Sequence, residues 1–346
     1  MSTARRIRIA GPGSYEQLKF QDFSPAPPAA GEVRIAVSHI GINYADCVVR
    51  MGLYKSAKEF VGWPITPGFE VSGVVEALGE GVDDLAVGDP VIGVTLFDGY
   101  SSQLTLRRAQ VFRRPENLSP AEAAGVPAVF LTAWFALREL AHVRPGERVL
   151  IHSAAGGVGC AAVQLAAQAG ARVTAVVGAA HKRALPRELG AEAVIVKSEQ
   201  DLWREAEALA PNGFDVILDP NGIETLGASY AHLAPLGRLV IYGFHTMLPK
   251  VGGRPNWLKL ARDWLRTPRF NPLQMTSANR NVLAFNLSFL TQRADLLTPA
   301  METMLADLAK GQLQAAPVQL FPFKDVAQAH QALESAQTVG KLVLEV

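Results

Sequence analysis

The fold is decided by the stretch RVLIHSAAGGVGCAAVQLAAQAGARVTAVVG, residues 148–178. An apolar run ends at Ser153, the small residues AAGGVG follow, a helical pattern continues to Gln168, and a second apolar run begins at Ala171. Small residues let the backbone approach a pyrophosphate, and a helix N-terminus offers N–H groups and a favourable dipole to an anion. Because a strand precedes the glycines and a helix and a second strand follow them, the pattern predicts a dinucleotide phosphate site rather than a structural turn.

The residues after the second apolar run indicate which dinucleotide binds. An NAD site places Asp or Glu about 20 residues past the glycines, but no acidic residue occurs between positions 147 and 188. The strand tip instead reads GAAHKR, residues 178–183, where Gly178 leaves room for a 2′-phosphate and Lys182 and Arg183 can neutralise it. NADPH is therefore the predicted cofactor, with the alternative that both cations are solvated residues at a helix start.

Composition places the chain among packed globular proteins of two domains. Its 346 residues are 49% hydrophobic and 19% charged. The formal net charge of +1 predicts no nucleic-acid partner. The only two cysteines, Cys47 and Cys160, are expected to be small buried residues in a reduced, cytoplasmic protein. Neither a signal peptide nor an apolar run of about 18 residues is present, so no transmembrane helix is predicted.

Hydrophobic periodicity divides the chain into a β-rich first third and an alternating centre. Alternating or β-branched runs bounded by glycine and proline predict strands at residues 32–42, 70–78 and 87–94. Between residues 147 and 244, apolar runs alternate with helical stretches, which is the pattern of a parallel sheet buried on both faces. The other predicted elements are a helix capped by Ser119 ahead of Pro120 and Glu122, a helix from Thr298 to about Lys310 with Pro299 at its start, a helix at about 324–336, and a final strand KLVLEV.

Several further motifs carry a family resemblance. They are GINYADCVVRMGLY (41–54), TPGFEVSGVVEALGEGV (66–82), LTAWFAL (131–137), FDVILDPNG (214–222) and GKLVLEV (340–346). With these motifs the chain resembles the medium-chain dehydrogenases/reductases over essentially its whole length, and among them the zinc-free quinone oxidoreductases. NPLQMTSANRNVLAFNL (271–287) resembles the branch of the vesicle amine transport protein homologues.

The resemblance implies an α/β fold in which a doubly wound Rossmann sheet is inserted in a GroES-like, mostly β catalytic domain. The implied catalytic domain comprises residues 1–122 and 291–346, and the NADPH-binding domain comprises residues 123–290. A homodimer is also implied. Because Rossmann domains of this family commonly pair through edge strands, NVLAFNL (281–287) is predicted to be the edge strand.

The resemblance also assigns cofactor contacts. Lys197 stands where Tyr or His is common, and a cation suits a phosphate there. For Phe285, a core aromatic on a strand is the alternative. The implied contacts are Ala155, Gly156, Gly157 and Val158 at the pyrophosphate, Lys197 at the adenosine phosphate beside the already predicted Gly178 and Lys182, and Asn221, Tyr242, Gly243, Phe244, Phe285 and Tyr54 toward the ribose, the nicotinamide or the cleft.

Zinc-dependent members of the family hold their metal with a Cys-His pair and a Gly-His-Glu motif, and both are altered here. Asn43 stands in the place of the cysteine, and Phe69 stands in the place of the ligand histidine. Glu70 and Asp46 remain, but a catalytic zinc takes three protein ligands. No metal is therefore predicted, and Asp46 is expected to cap or bridge structure.

The absence of a Lewis acid narrows the predicted chemistry. Simple carbonyls need strong help with charge on oxygen, whereas quinones and enones spread that charge over a conjugated system. The predicted function is NADPH-dependent reduction of a small quinone or enone by hydride transfer. Tyr54 is the first candidate donor and could bind cofactor, substrate or both. Asn43 could hydrogen-bond a substrate oxygen or satisfy nearby backbone as a turn residue, and solvent could supply the proton.

Residues 250–280 form a basic segment, with seven basic residues against one acidic residue. Its apolar residues recur at helical spacing and predict an amphipathic helix; they are Trp257, Leu258, Ala261, Trp264 and Leu265. One interpretation is contact with an anionic membrane surface, and the favoured one is a helix packed on the protein with a solvated basic face. The alternative function is accordingly a nucleotide-binding, non-enzymatic protein that binds a lipid surface or a partner.

Overall fold

The computed structural model describes residues 4–346, which form two compact units. The mixed-β unit comprises residues 4–131, 250–254 and 288–346, and the α/β unit comprises residues 132–249 and 255–287. The predicted domain limits, after residues 122 and 290, stay a prediction beside the unit limits after Leu131 and Leu287.

Strands and helices alternate in the α/β unit, whereas strands dominate the mixed-β unit. The strands are β1 (Ala4–Arg8), β2 (Lys19–Phe23), β3 (Glu32–Ile42), β4 (Glu70–Leu78), β5 (Pro90–Val94), β6 (Gln103–Arg107), β7 (Val111–Arg113), β8 (Arg148–Ile151), β9 (Arg172–Val177), β10 (Ala193–Val196), β11 (Phe214–Asp219), β12 (Leu233–Ile241), β13 (Asn281–Ala284), β14 (Val318–Pro322) and β15 (Lys341–Glu345). The α-helices are α1 (Tyr44–Arg50), α2 (Lys55–Phe60), α3 (Pro120–Ala124), α4 (Pro127–Trp134), α5 (Gly157–Gln168), α6 (Ala184–Glu188), α7 (Leu202–Leu209), α8 (Leu226–Ala231), α9 (Trp257–Arg266), α10 (Pro272–Ala278), α11 (Ala294–Ala309) and α12 (Val326–Glu334).

The α/β unit is built on a six-stranded parallel sheet in the order β10-β9-β8-β11-β12-β13. In this doubly wound order the direction of strand addition reverses between β8 and β11, and ligands bind outside the carboxyl ends of the strands at that point. Val149, Leu150 and Ile151 of the central strand are fully buried, as a sheet covered on both faces requires. The predicted Rossmann sheet is confirmed, and β13 lies at its edge as predicted.

The mixed-β unit holds a second sheet in the order β14-β15-β3-β4-β5-β7, with β6 also paired to β3. Its pairs are antiparallel except β14 with β15. β3 and β4 have the predicted bounds, whereas the strand predicted from residue 87 begins at Pro90 because a turn with Gly88 at a φ of 94° precedes it. The C-terminal β15 pairs with the N-terminal β3, so the two ends of the chain share one sheet, as an inserted domain requires.

Two helix starts that the sequence predicts have different outcomes. Ser119 caps α3, and its Oγ accepts the backbone N–H of Glu122 at 3.2 Å, which confirms the prediction. The helix predicted from Thr298 begins at Ala294 instead, so Pro299 lies inside α11 and that prediction was wrong. Burial of the apolar face of α11 outweighs the single backbone hydrogen bond that a proline near the helix start removes.

Two further predictions concern membrane spans and the two cysteines. Among residues 4–346, no helix combines the length and the apolar character needed to cross a bilayer. Cys47 and Cys160 are both buried and unpaired by disulfide, as predicted. Burial raises the pKa of the Cys160 thiol to about 12, so this residue packs as a neutral side chain.

Candidate functional site

The glycine turn of the α/β unit connects β8 to α5 at the point where the strand order reverses. Gly156 caps α5 without a side-chain hydrogen bond, so backbone N–H groups of the first helical turn are available to an anion. A Cβ on Gly159 would lie 2.4 Å from the carbonyl oxygen of Ser153 and 2.6 Å from Cα of Ala154. Only glycine allows α5 to approach β8 this closely, and this closeness places the helix N-terminus at the strand end.

A buried aspartate fixes the loop beside the glycine turn. Asp219, at the end of β11, accepts the backbone N–H of Asn221 at 2.8 Å and the hydroxyls of Thr225 and Ser229 at 2.7 and 2.8 Å. The Asn221 side chain accepts the hydroxyl of Ser153 at 3.1 Å. The structure therefore brings Asn221 to the glycine turn, and its predicted contact with the ribose or nicotinamide stays a prediction.

The predicted adenosine-phosphate residues meet at the tips of β9 and β10. The backbone N–H of Lys197 donates to the carbonyl of Val177 at 2.9 Å, so Lys197 lies beside Gly178. A Cβ on Gly178 would meet no atom within 4 Å, which leaves space at the tip of β9. Lys182 is half-buried, and burial lowers the pKa of its ammonium group. Arg183, the other predicted cation, is ion-paired with Glu199.

The predicted nicotinamide residues cluster at the ends of β12 and β13. Tyr242, Gly243 and Phe244 follow β12 directly. A Cβ on Gly243 would lie 2.8 Å from the carbonyl oxygen of Pro220, so glycine lets the ends of β11 and β12 approach each other. The ring of Phe285 lies 6.0 Å from that of Phe135 and 6.4 Å from that of Tyr242. Phe285 is thus half-buried in an aromatic group, and its contact with a cofactor remains a prediction.

Tyr54, the predicted donor, lies in an aromatic cluster of the mixed-β unit. Its ring is 6.0 Å from that of Phe69, and Phe69 is 5.6 Å from Phe97. Phe69 occupies the position of the family's ligand histidine, so an apolar ring stands where a nitrogen ligand is expected. Tyr54 and Phe69 remain half-buried, whereas Phe97 is buried in the core.

Asn43, the other predicted catalytic residue, is half-buried and belongs to a polar cluster with the buried Glu70 and Lys341. The Lys341 ammonium lies 2.7 Å from Oε1 of Glu70 and 2.6 Å from Oδ1 of Asn43. Asn43 Nδ2 donates to the same Oε1 at 2.7 Å. Sequence reasoning missed Lys341, although a single lysine at the start of the buried strand KLVLE is an available signal.

Asp46 is a structural acceptor in the same unit, as predicted. It accepts the backbone N–H groups of Asn43 at 2.8 Å and Gly68 at 2.9 Å, and the hydroxyl of Tyr100 lies 3.2 Å from its Oδ2. Complete burial raises the pKa of Asp46 to about 7 against the opposing effect of these donors. Asp46 caps α1 and ties it to the loop before β4.

A second group of potential metal ligands consists of Cys47, His330 and Glu334, whose donor atoms lie within 4.8 Å of one another. The Glu334 carboxylate is already ion-paired with Arg50 at 2.5 Å and accepts the hydroxyl of Tyr15 at 2.6 Å. Burial lowers the pKa of His330 to about 3. Because the Arg50 guanidinium already supplies a cation, the group is better suited to packing α1 against α12 than to holding a metal.

The basic segment forms the predicted helix α9, but the favoured interpretation of its faces was wrong. Trp257, Leu258, Trp264 and Leu265 are 67, 86, 67 and 67% exposed. Asp263 is buried instead, and Lys259 donates to it at 2.6 Å. This ion pair satisfies the polar face against the protein, so the apolar face points to solvent.

Family models match two parts of the chain. An alcohol dehydrogenase GroES-like domain matches residues 29–130, and a zinc-binding dehydrogenase domain matches residues 189–344. The first match lies within the mixed-β unit, and the second includes residues of both units.

Relatives and solved structures agree with these matches. The chain is 33% identical over 342 residues to the human (Homo sapiens) synaptic vesicle membrane protein VAT-1 homolog, covering 98% of this chain and 86% of that protein. CurK enoyl reductase superposes with a TM-score of 0.85 at 32% identity over 99% of both chains. The Escherichia coli quinone oxidoreductase complexed with NADPH superposes with a TM-score of 0.84 at 27% identity over 99% of this chain and 100% of that one. The chain therefore belongs to the medium-chain dehydrogenase/reductase family of quinone oxidoreductase type, close to the VAT-1 homologues.

Proposed function

We propose that the chain is an NADPH-dependent oxidoreductase that reduces quinones or other α,β-unsaturated carbonyls by hydride transfer, without zinc. The observation that carries the proposal is the glycine turn, in which the N-terminus of α5 lies at the switch point of the sheet. At Gly159 the neighbouring backbone leaves no space even for a Cβ atom. The enoyl reductase and quinone oxidoreductase likenesses support this class of reaction.

The residues at the strand tips fit NADPH better than NADH. Gly178 leaves open space at the tip of β9, and Lys182 and Lys197 lie at the tips beside it. A carboxylate that would bind the ribose hydroxyls of NADH is missing from residues 178–183. Cations beside open space suit a 2′-phosphate.

The residues at the family's metal positions do not fit zinc. Asn43 offers an amide and Phe69 a hydrocarbon ring, while Glu70 is already bound by an ammonium group and by the backbone N–H of Ala128 at 2.7 Å. Catalytic zinc needs three nitrogen, sulfur or oxygen ligands from the protein. A conjugated substrate, whose developing charge is delocalised, can be reduced with hydrogen bonds alone.

In the proposed reaction the chain's own residues bind and orient. When bound, the reduced nicotinamide supplies a hydride, and a proton from solvent completes the addition of two electrons and two hydrogens to the substrate. Tyr54 and Asn43 are the proposed hydrogen-bond donors to the substrate oxygen. The ring of Phe69 provides an apolar surface beside Tyr54 that favours a flat conjugated substrate over a small aldehyde.

Loss of NADPH absorbance tests this function directly. The panel contains a benzoquinone, a simple enone, a 2-enoyl thioester and a matched saturated ketone. We expect turnover of at least one conjugated compound and none of the saturated ketone. Tight NADPH binding without turnover of any conjugated compound would contradict the reductase function and favour a nucleotide-binding protein without catalysis.

We also propose that the protein is a cytoplasmic homodimer that pairs through the edge strand β13. The two buried thiols suit a reducing compartment. β13 is four residues long and leaves one side of the parallel sheet unpaired in the single chain. Sedimentation at micromolar concentration should give twice the chain mass, and a monomer would contradict this assembly.

A second candidate function, binding to an anionic membrane surface, is favoured by α9. Its exposed tryptophans and leucines are accompanied on the same helix by Arg262 and Arg266. Its single acidic residue, Asp263, is buried and is paired with Lys259 and Arg262. A helix with an apolar face and a cationic border is suited to the interface of an anionic bilayer. A second copy of the same face would instead bring like charges together.

Vesicle flotation tests the membrane proposal with a matched control. Wild type should float with vesicles rich in phosphatidylglycerol, and should not float with pure phosphatidylcholine or at high salt. The double substitution Trp257→Ser/Trp264→Ser should abolish flotation, while Val87→Ser, at a 67% exposed apolar residue of the mixed-β unit, should not. Failure of wild type to float, or equal flotation of the α9 variant, would exclude this function.

A further inference from the structure

Lys341, Glu70 and Asn43 form a cluster in which a lysine contacts two residues, Asn43 and Glu70, that stand in the zinc motifs of zinc-dependent members of the family. Glu70 is fully buried, and Lys341 is 3% exposed. One carboxylate oxygen receives the ammonium and the Asn43 amide, and the other receives the backbone N–H of Ala128. Each oxygen of this buried carboxylate therefore has a donor, which burial of a charge requires.

The strand arrangement explains how residues so far apart in sequence meet. β15 pairs with one side of β3 and β4 with the other, and Leu342 lies opposite Ile42 in the register. Lys341, one residue before Leu342, is therefore next to Asn43, one residue after Ile42, across the pair of β15 and β3. A Cβ on Gly41 would lie 2.5 Å from Oε1 of Glu70, so glycine in β3 opens the path by which the Glu70 carboxylate reaches the lysine.

The charges of the cluster determine the orientation of the Asn43 amide. The Lys341 ammonium can only donate and the Glu70 carboxylate can only accept. Rotation of the amide by half a turn would place its NH₂ group against the ammonium and its oxygen against the carboxylate, and both contacts would be repulsive. Oδ1 must therefore face Lys341 and Nδ2 must face Glu70, which leaves one amide hydrogen beyond these two bonds.

We propose that the Lys341 ammonium serves in place of the metal's charge at this site and acts as a positioning residue that holds Asn43 as a hydrogen-bond donor. A donor of fixed direction recognises an acceptor oxygen, such as the carbonyl oxygen of a quinone or enone and the negative charge that develops on it. This inference rests on the proposed function for its substrate class. The orientation of Asn43 does not rest on it, since that orientation follows from the charges of Lys341 and Glu70. The exclusion of a metal does not rest on it either, since the ammonium would repel a divalent cation.

Two substitutions of Lys341 test the positioning role. Lys341→Met removes the charge, and Lys341→Met/Glu70→Gln removes both charges so that no buried carboxylate is left unpaired if the single variant fails to fold. Lys310→Met, at an exposed lysine of the same unit, is the control. We expect the folded Lys341 variants to lose about tenfold or more in kcat/KM for the conjugated substrate, with the affinity for NADPH unchanged. An unaltered kcat/KM in a folded Lys341 variant would overturn the positioning role.

An NMR measurement separates this inference from the proposed function. The side-chain amide signals of Asn43, identified by their loss in Asn43→Asp, should exchange with solvent about tenfold faster or more in the folded Lys341 variants than in wild type. Unchanged exchange would overturn the orientation by Lys341 even if the enzyme is active. If wild type reduces no conjugated substrate but the amide exchange responds as expected, the proposed function fails and the orientation stands.

Metal analysis tests the exclusion of zinc. After incubation with zinc and gel filtration, wild type should retain about 0.1 equivalent or less, and its melting temperature should not respond to zinc or to a chelator. Retention of about one equivalent that a chelator removes with a fall in melting temperature would overturn the role of Lys341 as the cation of this site.

Discussion

The glycine turn of the α/β unit and the lysine-centred cluster of the mixed-β unit are two charged sites built in opposite ways. The turn presents backbone N–H groups of consecutive residues, from Gly157 onward, and is suited to an anion that arrives from outside. The cluster joins three residues that are distant in sequence, Asn43 after β3, Glu70 of β4 and Lys341 of β15, and it neutralises its own charge. A substitution that adds a side chain should therefore disturb the glycine turn most, and a substitution that removes a charge should disturb the lysine-centred cluster most.

The largest expected effect is the loss of the ammonium from the cluster. Lys341→Met leaves Glu70 buried without its cation, and breaking a buried ion pair in this way typically costs about 3–5 kcal/mol of unfolding free energy. Urea denaturation measures the loss, with Lys310→Met as the exposed control. A cost below about 1 kcal/mol would mean that Lys341 is not the counterion of Glu70.

A buried histidine of the mixed-β unit gives the next effect, through pH. The pKa of His330 in the folded state is about 3, below its ordinary value of about 6.5. Between these two pH values the folded state binds fewer protons than the unfolded state, so the fold is destabilised as pH falls. Between pH 7 and 4.5 the stability advantage of wild type over His330→Gln should shrink by about 2–3 kcal/mol.

The quantity to measure is the difference in unfolding free energy between wild type and His330→Gln at each pH. Asp46, whose folded pKa is raised to about 7, has the opposite sign and destabilises the fold as pH rises from about 4 to 7. Both proteins retain Asp46, so its contribution largely cancels. A difference that stays constant across this pH range would show that His330 does not titrate as a buried neutral group.

The glycine turn should respond to one added methyl group. Gly159→Ala places a Cβ against the backbone of Ser153 and Ala154, which is rigid, and should cost about 1–3 kcal/mol of unfolding free energy and weaken NADPH binding. Gly178→Ala, which would meet no atom within 4 Å, is the control for stability and should be neutral within about 0.5 kcal/mol. Equal stability of the two variants would contradict the close approach of α5 to β8.

The smallest expected effect concerns cofactor preference. Lys182→Ala should weaken NADPH binding about tenfold, or about 1.4 kcal/mol, and leave NADH binding unchanged. Arg183→Ala should have a smaller effect because Arg183 is ion-paired with Glu199. Equal losses for NADPH and NADH in Lys182→Ala would place this lysine away from the 2′-phosphate.

The contrast between the glycine turn and the lysine-centred cluster also explains which features the sequence predicts. The glycine turn and the strands around it are predictable because their signal is local: small residues follow a strand and precede a helix. The bounds of β3 and β4 follow from alternating or β-branched runs bounded by glycine and proline. The cofactor residues from Asn221 to Phe285 are found through family resemblance, since they meet only when parallel strands end at one edge.

The rest depends on contacts that no local pattern encodes. Lys341 pairs with Glu70 across 271 positions (341 minus 70) because β15 returns beside β3. The faces of α9 were assigned wrongly because periodicity predicts an apolar face without saying which face meets the protein. There the ion pair between the half-buried Lys259 and the buried Asp263 decides the orientation.

Calorimetric titration with NADPH and NADH tests the central claim most directly, since it measures whether phosphates bind at the glycine turn and whether cations rather than a carboxylate receive them. NADPH should bind about tenfold or more tightly than NADH, and Gly159→Ala should weaken both. Absence of any heat of NADPH binding, or tighter binding of NADH, would contradict the account.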